Sequence, residues 1–580
     1  MAMAISVRRR SLSRVLFAFL LIFFVRVLFF STPSGPTLAR QAKDVEIREQ
    51  GLFEGIGTTF DVQSHSWFQA RMGRDERQDI FSGVVRDGVD DYWERYQVPY
   101  MISKETSNMD AQHVRSAIDQ LLSLNGWVAA LCPTLARPFG QNSKTDNYED
   151  LVFDGARERY YFIAIVIHSA DHFLVDQLAV IVQMAKRLGT GNIFVSMLDY
   201  DSNDSTETLV DLCEAVLTLL GVPFRIRRVG GMTEDPAAAY YPLEEAYMRN
   251  SALEPLWELR DKRGVTFDRV VWLKGFTCPN DILETLRVSL VNQAGMVCGM
   301  DWAEHGGDFI FSDRWRTRDI EGDQFRQSKS SNRAEAGVPP RDEQGAQRYG
   351  KHLPFQVFCC EAGTHIVDPS QTYYKGIRYR AGSDFHNISR TDPAPVRGPE
   401  SQCLDSSQAY FCRDLWVRSA REGMEEGYLE RGEGLLDKQR LHRRQGFGHK
   451  HKEAQAQPAD PDANAGSDYD AMADEEEDPG QWEGDKLAIP NSVFRPARIL
   501  ANPRCPTTYA GVSHTQLARD LFGDDQGKDN GEGKSRYILE DWEGAPESFV
   551  CQEQRTTGGR GAPKTQRRLG FSIHDELQKL

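Results

Sequence analysis

The stretch Tyr160–Val229, YYFIAIVIHSADHFLVDQLAVIVQMAKRLGTGNIFVSMLDYDSNDSTETLVDLCEAVLTLLGVPFRIRRV, alternates short apolar runs with amphipathic helical patterns. The run Tyr161–Ile167 is followed by a helical spacing over Leu174–Leu188, a second run at Asn192–Leu198, a helix over Ser205–Leu220 and a third run at Pro223–Arg228. The pattern then continues outward. A helix is predicted around Leu243–Glu258, a run at Phe267–Leu273, a helix at Pro279–Val291 and a run at Gly295–Met300. Strands that are apolar at every position cannot have a wet face, and crossover helices between them require parallel pairing. The fold class is therefore α/β, with a mostly parallel central sheet covered on both faces.

Such sheets bind ligands outside the carboxyl ends of their strands. After the first run comes His168-Ser169-Ala170-Asp171-His172, and after the second comes Asp199-Tyr200-Asp201-Ser202-Asn203-Asp204-Ser205-Thr206, which leads directly into a helix. Asp204 stands at an N-cap position with Glu207 three residues on, so a cap and its reciprocal partner account for both. The same loop can instead hold a nucleotide, with Asp199, Asp201 and Asp204 accepting hydroxyl or base protons and helix amides facing phosphate. Arg249 can fork onto a diphosphate or sit in an ordinary ion pair. The strand ending at Leu273 is closed by Lys274-Gly275 rather than a carboxylate. Asp301, in Cys298-Gly299-Met300-Asp301-Trp302, can hold a hard divalent cation that neutralises a departing diphosphate, or it can be satisfied by loop amides. Asp313–Gly322, with Asp319 inside it, is either a salt-bridged loop or part of a sugar phosphate site.

The N-terminus bears on the compartment. Arg8, Arg9, Arg10 and Arg14 precede Val15–Phe30, which is apolar except for Arg26, and no acid occurs before Asp44. Leu12–Phe30 is nineteen residues, within the roughly 17 to 25 that span a bilayer. Residues 1–14 are read as a cytosolic basic flank and 15–30 as an uncleaved transmembrane signal anchor, with the rest lumenal by the positive-inside rule. Arg26 lies about a turn from the lumenal end, where its stem can reach the interface. A cleaved signal peptide or a mitochondrial presequence is the alternative. The expected location is a Golgi or other secretory-pathway membrane.

The chain has 580 residues and a net charge of −16, but Glu453–Asp485 alone carries twelve carboxylates without a Lys or Arg. The rest is close to balanced, which excludes the basic footprint of a nucleic-acid binder. Ten cysteines show no CxxC pair and no Cys/His zinc spacing, so disulfides are open to them in an oxidising compartment. Asn387 in Asn387-Ile388-Ser389 is a better glycan acceptor than Asn203, whose sequon falls in the proposed pocket wall. Residues 31–157 read as a stem with N-terminal helices, one of them over Ala111–Leu124. The 324–351 and 422–486 regions read as disordered insertions, and 521–580 as a polar tail in which Tyr537–Trp542 and Phe549–Cys551 have residues able to dock.

Several phrases together resemble the fungal capsule-associated α-1,3-mannosyltransferase family (glycosyltransferase family 69): Leu198–Thr206, Arg249–Leu253, Val271–Leu286, Cys298–Trp302, Trp315–Phe325, Cys403–Asp414, Asn502–Cys505 and Thr507–His514, in that order. The resemblance covers about 158–520 outside the insertions. It implies a type II membrane enzyme with a GT-A-like nucleotide-sugar transferase fold, transferring mannose from GDP-mannose to the 3-position of an α-mannoside with retention, using manganese. By position it implies nucleotide contacts at Asp199, Asp201 and Asp204, phosphate contacts at Arg249, the metal or reacting centre at Asp301, and the acceptor side at Asp319, while Lys274, a departure from the family pattern, can itself neutralise diphosphate charge. Many members have an Asn-Asp pair where this chain has Lys274-Gly275, which bears directly on the metal. The competing readings are a non-catalytic lumenal protein binding a glycan or nucleotide sugar, and a transferase using another donor such as a UDP-sugar.

Overall fold

Each apolar run forms a strand because both of its faces are buried. In the computed structural model, β3 (Tyr161–Ile167) places Tyr161, Ile163 and Ile165 in one hydrophobic cluster and Phe162 and Ala164 in another, on the opposite side of the sheet. Described here are Cys132, Pro340 and residues 148–231, 241–312, 316–325, 342–382, 403–427, 489–509, 514–522, 533–554 and 564–579, apart from 172, 306–307 and 362. The expected anchor (15–30), nearly all of the stem, Asn387 and most of the two insertions lie outside these residues. No helix among the described residues is long and apolar enough to cross a membrane.

A short helix, α1 (Glu149–Val152), and a small hairpin of β1 (Phe153–Asp154) and β2 (Arg157–Glu158) precede the sheet. Then come β3, α2 (Leu174–Leu188), β4 (Ile193–Tyr200), α3 (Thr206–Leu220), β5 (Phe224–Val229), α4 (Tyr241–Arg263), β6 (Arg269–Trp272), α5 (Pro279–Val291) and β7 (Met296–His305). Pro279 starts α5, where a missing N–H costs nothing, and left-handed Gly221 ends α3. The chain continues through β8 (Asp308–Phe311), β9 (Arg318–Asp319), α6 (Glu343–Tyr349), β10 (Phe355–Cys359), β11 (His365–Val367), α7 (Ser407–Glu425), β12 (Ile499–Thr508) and α8 (His514–Phe522).

The sheet runs β5-β4-β3-β6-β11-β7-β12-β10-β9, with β8 paired to β7. Strands β5, β4, β3 and β6 are mutually parallel, and β7 is parallel to β12. Between these two parallel groups lies β11, antiparallel to both β6 and β7. Helices α2, α3 and α5 share a cluster with one face of the sheet, while α4 and α7 pack on the other. Since β4 and β6 lie on opposite sides of β3, the strand order reverses there, while α2 and α5, which follow β3 and β6, pack on the same face of the sheet.

Three expectations about the later chain are corrected. Residues 342–350 are not part of an insertion: Asp342 caps α6 by accepting from the Gly345 N–H. Residues 422–425 finish α7 rather than beginning the second insertion. The segment expected as a polar tail supplies core. After α9 (Gly533–Arg536), β13 (Ser548–Gln554) and β14 (Lys564–Gly570) form a hairpin followed by α10 (Ile573–Gln578). Phe549, Phe571 and Ile573 join the main cluster, with the Phe549 ring tilted against Phe358 at 5.6 Å and the Phe571 ring edge-on to it at 5.5 Å. Asn491 fastens this segment by donating to the Pro546 and Phe571 carbonyls and accepting from the Ile573 N–H. Cys403–Cys551 ties it covalently to the start of α7, and Cys132–Cys278, Cys298–Cys360 and Cys359–Cys412 are also bonded.

Phe549→Ala is therefore expected to lower the unfolding free energy by roughly 3–5 kcal/mol, as for a buried aromatic. A change below about 1 kcal/mol in urea unfolding would show that the hairpin is an appendage.

Candidate active site

The segment after β6, the approach to β11 and strand β12 are joined by three threonines. The Lys274 N–H donates to Thr364 Oγ1 at 3.1 Å, the Thr277 hydroxyl donates to the same oxygen at 2.9 Å, and the Thr364 N–H donates to Thr507 Oγ1 at 3.0 Å. Thr507 stands opposite Asp301 in the β7–β12 register. Close approach of the backbones depends on glycine. Gly275 has φ +45°, and a Cβ there would run into the Thr508 carbonyl; Gly363 has φ +54°, and a Cβ there would come within 2.9 Å of Asp301 Oδ1.

Around this junction lie six charged side chains. Glu245 and Arg249 are one turn apart on α4 and pair at 3.0 Å. Arg249 also reaches Glu361 at 3.2 Å and donates to Gln408, with its guanidinium 4.9 Å from the centre of the Tyr379 ring. Arg316 pairs with both Glu245 and Glu361. Ser406, the N-cap of α7, donates to Glu361 at 2.9 Å, and the Ser407 hydroxyl donates to Glu245 at 2.7 Å. Burial works against ionising Glu245, but Arg249 and Arg316 outweigh it and hold its carboxyl well below the usual range. Burial likewise opposes the Arg249 charge, and Glu245 and Glu361 more than compensate.

Lys274 and Asp301 are less completely satisfied. The Lys274 ammonium donates to the Glu361 carbonyl at 3.0 Å, its one side-chain hydrogen bond among the described residues. Burial lowers its pKa and Arg249 adds to this, against the opposing pull of Glu361 and Asp301. Asp301 accepts a long bond from the Tyr509 hydroxyl at 3.5 Å on Oδ2, while its buried Oδ1 lies beside the Gly363 backbone, whose N–H helps to hold its charge, without a well-formed hydrogen bond. Burial raises its carboxyl to about 6 in spite of Lys274. Perturbed groups of this kind, brought together from separate strands, make this a candidate functional site.

The other sequence-predicted residues fall elsewhere or in structural roles. Asp199 is buried, accepts from Ser202 and pairs with Arg228 at 3.7 Å. Asp204 accepts from the Thr206 N–H at 3.0 Å and the Asp171 N–H at 3.3 Å, knitting together the loops after β3 and β4. Glu207 is not its capping partner and pairs with Arg228 instead. Asp201 is exposed in a left-handed conformation at φ 51°, facing solvent at the loop tip. Asp319 is buried and accepts from the Glu321 and Asp323 N–H groups, closing a turn. Sequence reading missed Glu245, Glu361, Thr364 and Tyr509. The four-residue Glu245–Arg249 spacing could have revealed the first; Glu361 precedes a strand of only three residues, too short for any periodicity to show.

A resident divalent cation finds a poor fit. Asp301 offers one free oxygen, the Glu361 carboxylate is taken by Arg249, Arg316 and Ser406, and Lys274 brings a positive charge to the same place. An Asp at position 275 would clash with Thr508 in this backbone. The two groups of described residues that bring three potential ligand atoms together, Cys278/Asp281/His514 and Cys403/Asp405/Cys551, each include disulfide-bonded sulfur.

Residues 160–394, from the residue before β3 to beyond β11, match the family model described as cryptococcal mannosyltransferase 1. Over this segment the chain is similar to that family, which supports a glycosyltransferase. The matched segment contains Glu245, Arg249, Lys274, Asp301, Arg316 and Glu361. No curated protein matches. Among solved structures, S. aureus TarS 1–349 aligns with 45% of this chain and 56% of its own length, at 8% identity and TM-score 0.26, a likeness too slight to carry an argument.

Two measurements probe the cluster. Arg249→Met leaves Glu245 and Glu361 short of a buried partner, and a loss of about 3–5 kcal/mol in urea unfolding is expected; a loss under about 1 kcal/mol would free Arg249 for a ligand role. For Asp301, the folded value of about 6 lies above the ordinary 3.8. Protonation thus favours the folded form, and its contribution is fully present below about pH 4 and lost as pH rises through about 6. Asp301→Asn should therefore stabilise the apo protein by on the order of 2 kcal/mol at pH 8 and very little at pH 4. An equal effect at both pH values would remove the titration from Asp301.

Proposed function

We propose that the chain transfers mannose from GDP-mannose to the 3-hydroxyl of an α-mannoside with retention, on a GT-A-like scaffold anchored as a single-pass type II protein in a secretory-pathway membrane. The observation that supports this reading is the placement of Lys274 just after β6 and of Asp301 within β7, near enough to influence each other's charge, inside the matched segment. One is a cation with donor capacity left, the other a carboxylate with a free oxygen. A nucleotide-sugar donor needs both, one toward its diphosphate and one toward sugar hydroxyls. The loops after β3 and β4, with Asp201 at the tip, stand where a nucleoside would enter.

In this reaction the bond from the mannose anomeric carbon to the diphosphate breaks, its electron pair leaves on GDP, and the acceptor oxygen bonds that carbon. The hydroxyl proton leaves with the phosphate. Asp301 Oδ1 orients a hydroxyl by accepting its hydrogen bond, and the Glu245–Arg249–Glu361–Arg316 network holds the surrounding backbone fixed. Four disulfides support the lumenal assignment, since such bonds persist in oxidising compartments. The product is expected in a capsule, cell-wall or secreted glycan.

The Lys274-Gly275 departure favours one competing reading, a lumenal protein that binds nucleotide sugar or glycan without catalysis. Incubating the protein with GDP-mannose and an α-mannoside, beside a panel of UDP-sugars, separates the readings. A product with a new α-1,3 linkage is expected from GDP-mannose, and Asp301→Ala should reduce kcat/KM by at least about tenfold, or 1.4 kcal/mol. Folded wild-type protein that binds donor yet forms no product would establish the binding role instead.

A further inference from the structure

The charged groups of the candidate site and of the neighbouring strand-end loops differ in how their hydrogen-bonding capacity is used. The Arg249 guanidinium serves Glu245, Glu361 and Gln408, Arg316 serves Glu245 and Glu361, and Arg228 serves Asp199, Glu207 and the Ser202 carbonyl. An ammonium has three N–H donors, and Lys274 places one on the Glu361 carbonyl. Its backbone is pinned on both sides by Thr364, which accepts from the Lys274 N–H and donates to the Lys274 carbonyl, each at 3.1 Å. The backbone just after β6 is therefore held in place, and the Glu361 carbonyl holds the ammonium end of the side chain.

Gly275 bars the alternative arrangement. A second carboxylate at that position, which a divalent cation would need beside Asp301, cannot be placed without moving the β6–β12 junction, where Phe276 and Thr508 exchange backbone hydrogen bonds at 2.8 and 2.9 Å. The cation at this strand end is thus built into the chain.

We propose that the Lys274 ammonium binds the diphosphate of the nucleotide donor directly, so that this protein binds nucleoside diphosphates without a divalent metal ion. The inference rests on the transferase reading above and gives its donor site a different chemistry from metal-bridged binding. Lys274 then carries a cost in the empty protein, because a partly desolvated ammonium has incomplete pairing until phosphate oxygens arrive. Asp301 remains free for the sugar, with no metal occupying its open oxygen.

Calorimetric titration of the full-length protein in detergent with GDP, UDP and inorganic pyrophosphate tests this, in EDTA and again in Mn2+. Wild type should bind GDP with dissociation constants within about threefold in the two buffers. Lys274→Gln should weaken GDP and pyrophosphate at least about tenfold in EDTA, corresponding to 1.4 kcal/mol, with its thermal transition equal to or above that of wild type. Lys274→Arg, which keeps the charge, should recover part of the loss. Binding by wild type only in Mn2+, wild-type affinity in folded Lys274→Gln, or no binding of any of the three probes would overturn the proposal. Metal-free binding of UDP but not GDP, lost in Lys274→Gln, would uphold Lys274 and overturn the GDP-mannose donor alone.

Discussion

The carboxylate of Glu361 is shared by Arg249 on α4, Arg316 on the approach to β9 and Ser406 at the head of α7, while its carbonyl holds the Lys274 ammonium. Four segments distant in sequence therefore have to agree on one residue. The two positions before it are Cys359 and Cys360, bonded to Cys412 on α7 and Cys298 on β7. Covalent links on one side and charge on the other leave the Glu361 backbone little freedom. Buried ion pairs rarely add much net stability, because desolvation offsets the attraction. What they provide here is a fixed position: each carboxylate accepts from several donors, and misplacing any one leaves an unpaired charge in a low-dielectric interior.

The first half of the sheet was legible because its signals are local. Tyr161–Ile167 and Leu174–Leu188 have the boundaries their apolar patterns imply, and the run at Phe267–Leu273 brackets β6. Strand β11 carried no such signal. His365–Val367 is three residues long, held by neighbours on both sides rather than by its own pattern, and it separates β6 from β7. The C-terminal hairpin was hidden for a related reason. Most of β14 is Lys, Gln, Arg and Thr, with its contribution to the core concentrated in flanking Phe571 and Ile573.

At the site, residue type predicted location better than role. Asp199, Asp204 and Arg249 all stand near the expected strand and helix ends, yet their polar atoms are engaged within the protein. Sequence cannot reveal that engagement, since the partners of Arg249 come from positions as distant as Gln408. Lys274 and Asp301 stood out in the sequence for their placement after apolar runs, and in the structure for the opposite property, unused hydrogen-bonding capacity.

That contrast explains how a rigid scaffold and a reactive site coexist in a small volume. Glu245, Arg249, Arg316 and Glu361 satisfy one another, so the surrounding field is nearly cancelled and the walls do not compete for ligand. Lys274, just after β6, and Asp301, within β7, carry opposite charges on strands that flank β11, but burial pushes both toward neutrality. On the proposed reading, an arriving diphosphate and sugar would supply what each lacks, a negative charge for the ammonium and hydroxyl donors for the carboxylate. Binding would then relieve an electrostatic cost that folding imposed, which is how a site can be held in a poorly solvated state without collapsing onto itself.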